Sequence, residues 1–169
     1  MNLYFMRHAH AVEQDEWTGS DAARPLIEKG RKAADEAARG VARLAPPVMA
    51  IVSSPYLRAL QTAEIVGKRL SLPIAQCEAL SPMFDITRLP EALDAAGWAQ
   101  DVLLIGHQPS LSEVLAHLTG HTLSKTNLKK AAVAMVTLPE EAARERRLVK
   151  AATLEWIRRW SEWQMVEAR

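Results

Sequence analysis

Two histidines and two arginines of this chain stand just after runs of apolar residues. Arg7-His8 follows Asn2 to Met6, Ser53-Ser54-Pro55-Tyr56-Leu57-Arg58 follows Val48 to Val52, and Gly106-His107 follows Val102 to Ile105. If those runs are parallel neighbouring strands, their carboxyl ends deliver all four side chains to one edge, where open α/β sheets bind ligands. Two guanidinium forks suit a phosphoryl group, because each can give paired charge-assisted hydrogen bonds to its oxygens. A neutral imidazole beside them can attack phosphorus. A second, protonated imidazole can stabilise the charge on the group in transfer. The four residues therefore point to metal-free phosphoryl transfer through a phosphohistidine, and no carboxylate is needed to complete the set.

The elements around these residues must hold them in place. Asn2 to Met6 reads as a short buried strand and Leu26 to Leu44 as an alanine-rich helix ended by Pro46-Pro47. Val48 to Val52 is a second buried run. Ser54-Pro55 then offers an N-cap and a proline at the first helical position, opening a helix to about Leu70. Its positive N-terminal dipole would face the same edge. Ile74 to Cys77 reads as a short strand, Leu89 to Ala96 as a helix stopping near Gly97, and Ser110 to Leu118 as a helix. Val102 to Ile105 suits a central strand buried on both faces, and Ala131 to Leu138 a further strand. This alternation predicts a three-layer α/β/α fold with a mostly parallel central sheet. Glu140 to Arg147 is helix-prone. Trp156, Trp160 and Trp163 fall at i, i+4, i+7, the spacing of one helix face, read as packed in the core or docked on the sheet; a substrate lid or a dimer contact is the alternative. The basic residues between Arg144 and Arg159 read as a solvated face.

Length and composition narrow the field. The chain has 169 residues, which fits a single domain over 1–169. At 49% hydrophobic and 24% charged it has globular values, and a net charge of +1 gives no general field for nucleic acid or an anionic membrane. Cys77 is the only cysteine, so no intramolecular disulfide or cysteine-rich zinc site can form. No apolar run nears the ~20 residues of a membrane span. The N-terminus lacks a signal-peptide pattern, so a cytoplasmic location is expected.

Four blocks in order carry a family resemblance: LYFMRHAHA at Leu3–Ala11, RPLIEKG at Arg24–Gly30, SSPYLRALQTAEIV at Ser53–Val66 and LLIGHQPSL at Leu103–Leu111. The chain resembles the histidine phosphatase superfamily, the phosphoglycerate mutase-like proteins, and within it the small SixA-type phosphohistidine phosphatase branch. The likeness runs from about Leu3 to Leu138, leaving the tryptophan-rich tail from about residue 140 unmatched. It implies that His8 is the nucleophile, that Arg7 and Arg58 bind phosphate, and that His107 is the second catalytic histidine. It also implies that Arg24 can reach the phosphate pocket, the alternative being a surface arginine that orders its loop. The expected substrate is a phosphorylated protein carrying phosphohistidine, or a small phosphorylated metabolite, with no cofactor and no metal.

The chain departs from the family pattern at Ala9, where glycine is common, and at Gln108, where GHNP is frequent. Larger members carry a carboxylate that protonates the leaving group. Here Glu78 and Asp85 are the nearby candidates, without a clear acidic motif. An alkoxide leaves poorly without a general acid, worth about 10²–10⁴-fold, whereas the imidazole of phosphohistidine can leave already protonated. This favours a phosphohistidine or similarly activated substrate over alkyl phosphates; a broader phosphomonoesterase remains the alternative. A mutase would need an insertion that the chain lacks. Two further readings are a non-catalytic phosphate-binding module and a metal-dependent hydrolase using His8 and His10. The amidohydrolase barrels with that pair need about 250 residues. His117 and His121 read as surface residues.

Overall fold

The computed structural model describes residues 1–163. Six strands form one sheet: β1 (Asn2–Arg7), β2 (Ala50–Ser53), β3 (Ile74–Gln76), β4 (Asp101–Gly106), β5 (Val133–Thr137) and β6 (Thr153–Arg158), in the spatial order β3-β2-β4-β1-β5-β6. The first four are mutually parallel, and β5 and β6 run antiparallel to their neighbours. β4 is buried along its whole length, as its unbroken apolar run requires of a central parallel strand.

Alternate strand residues feed opposite layers. Leu3, Phe5, Val102 and Leu104 pack beneath α3 (Leu89–Ala95) and α4 (Ser110–Thr119). Tyr4, Met6, Leu103 and Ile105 pack beneath α1 (Glu28–Val41) and α2 (Leu57–Leu70). Ala33, Ala34, Ala37 and Ala38 form the buried stripe of α1. Two short helices, α5 (Leu123–Thr126) and α6 (Glu140–Arg144), complete the set. Among the described residues no helix is long and apolar enough to cross a membrane.

Two local expectations are corrected. Ser54-Pro55 does not open a helix: α2 begins at Leu57 with Tyr56 as its extended cap residue. The Ser54 hydroxyl is instead committed to a tertiary partner described below. Nor do the three tryptophans share a helix. Trp156 lies on β6, while Trp160 and Trp163 belong to a tight turn after it. The core packing expected of the stripe is seen at Trp163, which is buried against α1, where a Cβ on Gly40 would come within 2.0 Å of its ring. Trp156 meets it edge-on at 5.8 Å, and the Arg158 guanidinium covers both rings at 4.9 Å. Arg158 is therefore a packing residue rather than part of a solvated face.

Candidate active site

Strand register brings Arg7, His8 and His107 to one edge. Arg7 pairs with Gly106 and Ser53 with Ile105, so β1, β4 and β2 end level. The next backbone amides continue the ladder, His8 N–H donating to Gly106 O at 3.0 Å and Ser54 N–H to Ile105 O at 3.0 Å. His8 and His107 thus emerge side by side, with ring centroids 5.1 Å apart. Arg58, in the first turn of α2, reaches across, and its Nε–H donates to His8 Nε2 at 3.3 Å. Arg7, His8, Arg24, Arg58, His107 and Gln108 all line one pocket of about 330 Å³.

The state of His8 follows from its bonds. Its Nδ1 lies 2.7 Å from the Ala9 carbonyl, which can only accept, so Nδ1 carries the proton and the Nε2 lone pair accepts from Arg58 Nε–H. Burial lowers its pKa well below the usual value. Neighbouring His107, Arg58 and Arg7 add to the effect, opposed by the Ala9 bond. A neutral nucleophilic nitrogen thus faces a cationic pocket. Ala9 is fully buried and its N–H donates to Thr62 Oγ1 at 3.1 Å, fixing the loop to α2.

The expectation of a protonated His107 concerns a pocket that holds a phosphoryl group; without one the ring is neutral. Burial first, then the charge of Arg58, push its pKa down to about 3, so it is neutral in the unliganded pocket near neutral pH. Its Nε2 lies 2.8 Å from Ser54 Oγ, and its Nδ1 is buried with no protein partner among the described residues. The Arg7 Nε is in the same position, while Arg7 Nη1 donates to Leu128 O at 3.1 Å. Both orphaned nitrogens belong to pocket-lining residues, where an oxyanion would satisfy them. Gln108 has a local bonding role, donating to Leu128 O at 3.1 Å and accepting from Ser112 N–H at 3.2 Å.

The structure brings Arg24 to the pocket rim and shows what holds it. Asp21 Oδ1 accepts from Arg24 Nε at 3.0 Å, and its Oδ2 accepts from Arg58 Nη2 at 3.0 Å. Sequence reasoning missed Asp21, though its i, i+3 spacing to Arg24 was available as a signal. It also missed Glu13 and Lys130, which pair at 3.0 Å across the mouth. Glu78 and Asp85 do not line the pocket: Glu78 binds Ser81 Oγ, and Asp85 caps the turn at Thr87. The pocket's own carboxylates are poor acids. Burial raises the Asp21 pKa, but hydrogen bonds from Arg24 and Arg58 outweigh it and leave the value below normal. Lys130 lowers that of Glu13.

The pair His8 and His10 does not form a metal site. Both His8 ring nitrogens are engaged, and the charges acting on His10 are mainly the cations Lys130, Lys29 and Arg7. Among the described residues no group of three or more His, Cys, Asp or Glu could hold a metal ion.

The segment RPLIEKG also has a visible task. His10 O accepts from Ile27 N–H at 3.1 Å, and α1 lies so close that a Cβ on Gly30 would stand 1.9 Å from that oxygen. Glycine here lets α1 brace the loop carrying His8.

Residues 3–84 match the model of the histidine phosphatase superfamily, branch 1. The chain is 35% identical over 140 residues to an uncharacterized protein of Picosynechococcus sp., covering 79% of this chain and 82% of that protein. It is 32% identical over 146 residues to the phosphohistidine phosphatase SixA of Escherichia coli, covering 83% of this chain and 87% of that protein. The solved structure of the protein histidine phosphatase SixA complexed with tungstate superposes with a TM-score of 0.80 at 28% identity, over 96% of this chain and 99% of that one.

Proposed function

The chain belongs to the histidine phosphatase superfamily, and on that premise we propose that it removes phosphate from phosphohistidine in protein substrates through a phospho-His8 intermediate. The observation that carries this reading is the His8 Nε2 lone pair set against Arg58 in a pocket whose carboxylates are held ionised by cations. Arg7, Arg58 and Arg24 bind the non-bridging phosphoryl oxygens, supplying the positive charge that a cation provides in other phosphatases. The phosphoryl oxygens take over the Arg58 Nε–H on arrival, and the His8 Nε2 lone pair so released attacks phosphorus as the bond to the substrate imidazole breaks. The bonding pair stays as a lone pair on the departing nitrogen, and the proton on the other nitrogen of the substrate ring lets it leave as neutral imidazole. Water then attacks phospho-His8, the phosphorus–nitrogen bond breaks, and inorganic phosphate and neutral His8 are regenerated with release of a proton.

Likeness to SixA of Escherichia coli, a phosphohistidine phosphatase, supports the substrate class. So does the ionised state of Asp21 and Glu13, since an imidazole leaves without the general acid that an alkoxide needs. The second reading, a broader phosphomonoesterase, is favoured by the presence of Asp21 at the pocket itself. Rates on a phosphohistidine protein and on a panel of phosphomonoesters, measured side by side, separate the two. A kcat/KM for alkyl phosphates equal to that for phosphohistidine overturns the proposal. Acid-labile label on His8 after an alkaline quench, lost in His8→Ala together with turnover, is the expected sign of the intermediate.

A further inference from the structure

We propose that Ser54 is a positioning residue that holds His107 as its Nδ1–H tautomer, so that a neutral His107 donates a hydrogen bond to the phosphoryl group. The argument is a count of protons. Ser54 is fully buried, and among the described residues its Oγ has two partners, the Tyr56 N–H at 3.2 Å and His107 Nε2 at 2.8 Å. The Tyr56 amide can only donate, so it takes one lone pair of Oγ. The one hydroxyl proton then has a single acceptor within reach, His107 Nε2. A ring accepting at Nε2 carries its own proton on Nδ1, the buried nitrogen that lacks a protein partner among the described residues, in a residue that lines the pocket.

The opposite tautomer fails twice. With the proton on Nε2, Ser54 Oγ accepts two bonds and its own buried proton is stranded, which costs the full desolvation of that group. Nδ1 then presents a lone pair to the lone pairs of an arriving phosphate. In the unliganded pocket the doubly protonated ring is opposed by burial and by Arg58, which push the His107 pKa down to about 3. Neutral His107 therefore does as a fixed dipole what a charged ring would do, and the bond to Ser54 orients it before substrate arrives.

His8 completes the pattern in mirror image. Its proton is drawn to Nδ1 by the Ala9 carbonyl, leaving a lone pair at Nε2. The two rings, 5.1 Å apart, present one acceptor and one donor to the same pocket.

The tautomer can be read in the free protein, whereas its catalytic use rests on the proposed function, so the two can fail separately. Nitrogen NMR of histidine-labelled protein at pH 7, with His107→Gln to assign the ring, should show Nδ1 protonated and Nε2 bare. Ser54→Ala should lose that signature and lower kcat about tenfold on an aryl phosphate, with a smaller change in KM. Ser54→Thr, which keeps a hydroxyl, should restore the Nδ1–H ring. A proton on Nε2 of His107 in the wild-type protein overturns the proposal. So does a Ser54→Ala protein with an unchanged tautomer or unchanged kcat. The stated tautomer in a protein that turns over no phosphate compound supports the ring assignment and counts against the proposed function.

Discussion

Asp21 and Arg58 form an ion pair at 3.0 Å, although Asp21 lies in a loop turn and Arg58 on α2. Arg58 Nη1 also donates to the Asp21 backbone carbonyl at 2.7 Å, so one residue engages both terminal nitrogens of the guanidinium. The remaining nitrogen, Nε, faces His8. Asp21 thereby aims Arg58 and Arg24 while placing a negative charge beside the proposed phosphate site. Asp21→Asn keeps an acceptor and removes the charge. Inhibition by phosphate or tungstate is expected to tighten about three- to tenfold, the size of one unit charge removed at short range in a partly solvated site. Weaker inhibition would show that alignment of the arginines outweighs repulsion.

Arg58→Lys tests the fork itself. Lysine keeps the charge but cannot hold Asp21 with two nitrogens while turning a third toward His8. A loss of ~10²-fold in kcat/KM is expected, the scale of one forfeited transition-state donor. Steady-state kinetics near the wild-type value would place Arg58 outside the reacting pocket.

Gly30→Ala probes the brace behind His8. In a helix interior alanine should gain up to about 1 kcal/mol over glycine. Here its methyl would meet the His10 carbonyl at 1.9 Å, and overpacking of this kind costs about 1–3 kcal/mol. A lower Tm and a drop in kcat/KM are expected together, because the displaced backbone is two residues from His8. A raised Tm with full activity would show that α1 can move aside without cost.

The legible parts of this protein are those fixed by short-range pattern. β1, β2 and β4 are read from unbroken apolar runs, and the residues after them had to meet at one edge because parallel strands end together. Arg7, His8, Arg58 and His107 were visible for that reason. Asp21, Glu13 and Lys130 enter the pocket from loops and from the approach to β5, and no local periodicity marks them. Ser54-Pro55 has the composition of a helix start, but a tertiary bond to His107 claims the hydroxyl and the helix begins three residues later. β6 is an edge strand of mixed exposure with a bulge in the ladder to β5, and its tryptophan and the turn after it mimic helical spacing.

Acid should destabilise the protein through its buried histidines. The folded pKa of His107 is about 3 against an ordinary 6.5, so between those values the unfolded chain binds a proton that the folded chain refuses. Stability then rises with pH, and it falls as pH is lowered below about 6.5. Between pH 7 and pH 5 the loss from His107 is on the order of 2 kcal/mol, and His8 acts in the same direction. Urea unfolding across this range should show the fall, with a shallower slope in His107→Asn. Equal slopes would mean that His107 is protonated in the folded protein.

Dependence on the leaving group should be steep. Asp21 and Glu13 are the carboxylates at the pocket, and each is held ionised by a cation. Neither holds a proton to give near neutral pH, so under the proposed mechanism the rate of His8 phosphorylation must follow how readily the leaving group departs unaided. Aryl phosphates and phosphohistidine should react well and alkyl phosphates poorly. Hydrolysis of phospho-His8 is common to all substrates and cannot create this difference. Glu78→Ala and Asp85→Ala should leave the dependence unchanged, because neither side chain lines the pocket. A flat dependence abolished by Asp21→Asn would identify Asp21 as a proton donor and make the broader phosphomonoesterase the better reading. The same flat dependence abolished by Asp85→Ala or Glu78→Ala would instead mean that the loop between β3 and α3 closes over the pocket when substrate binds.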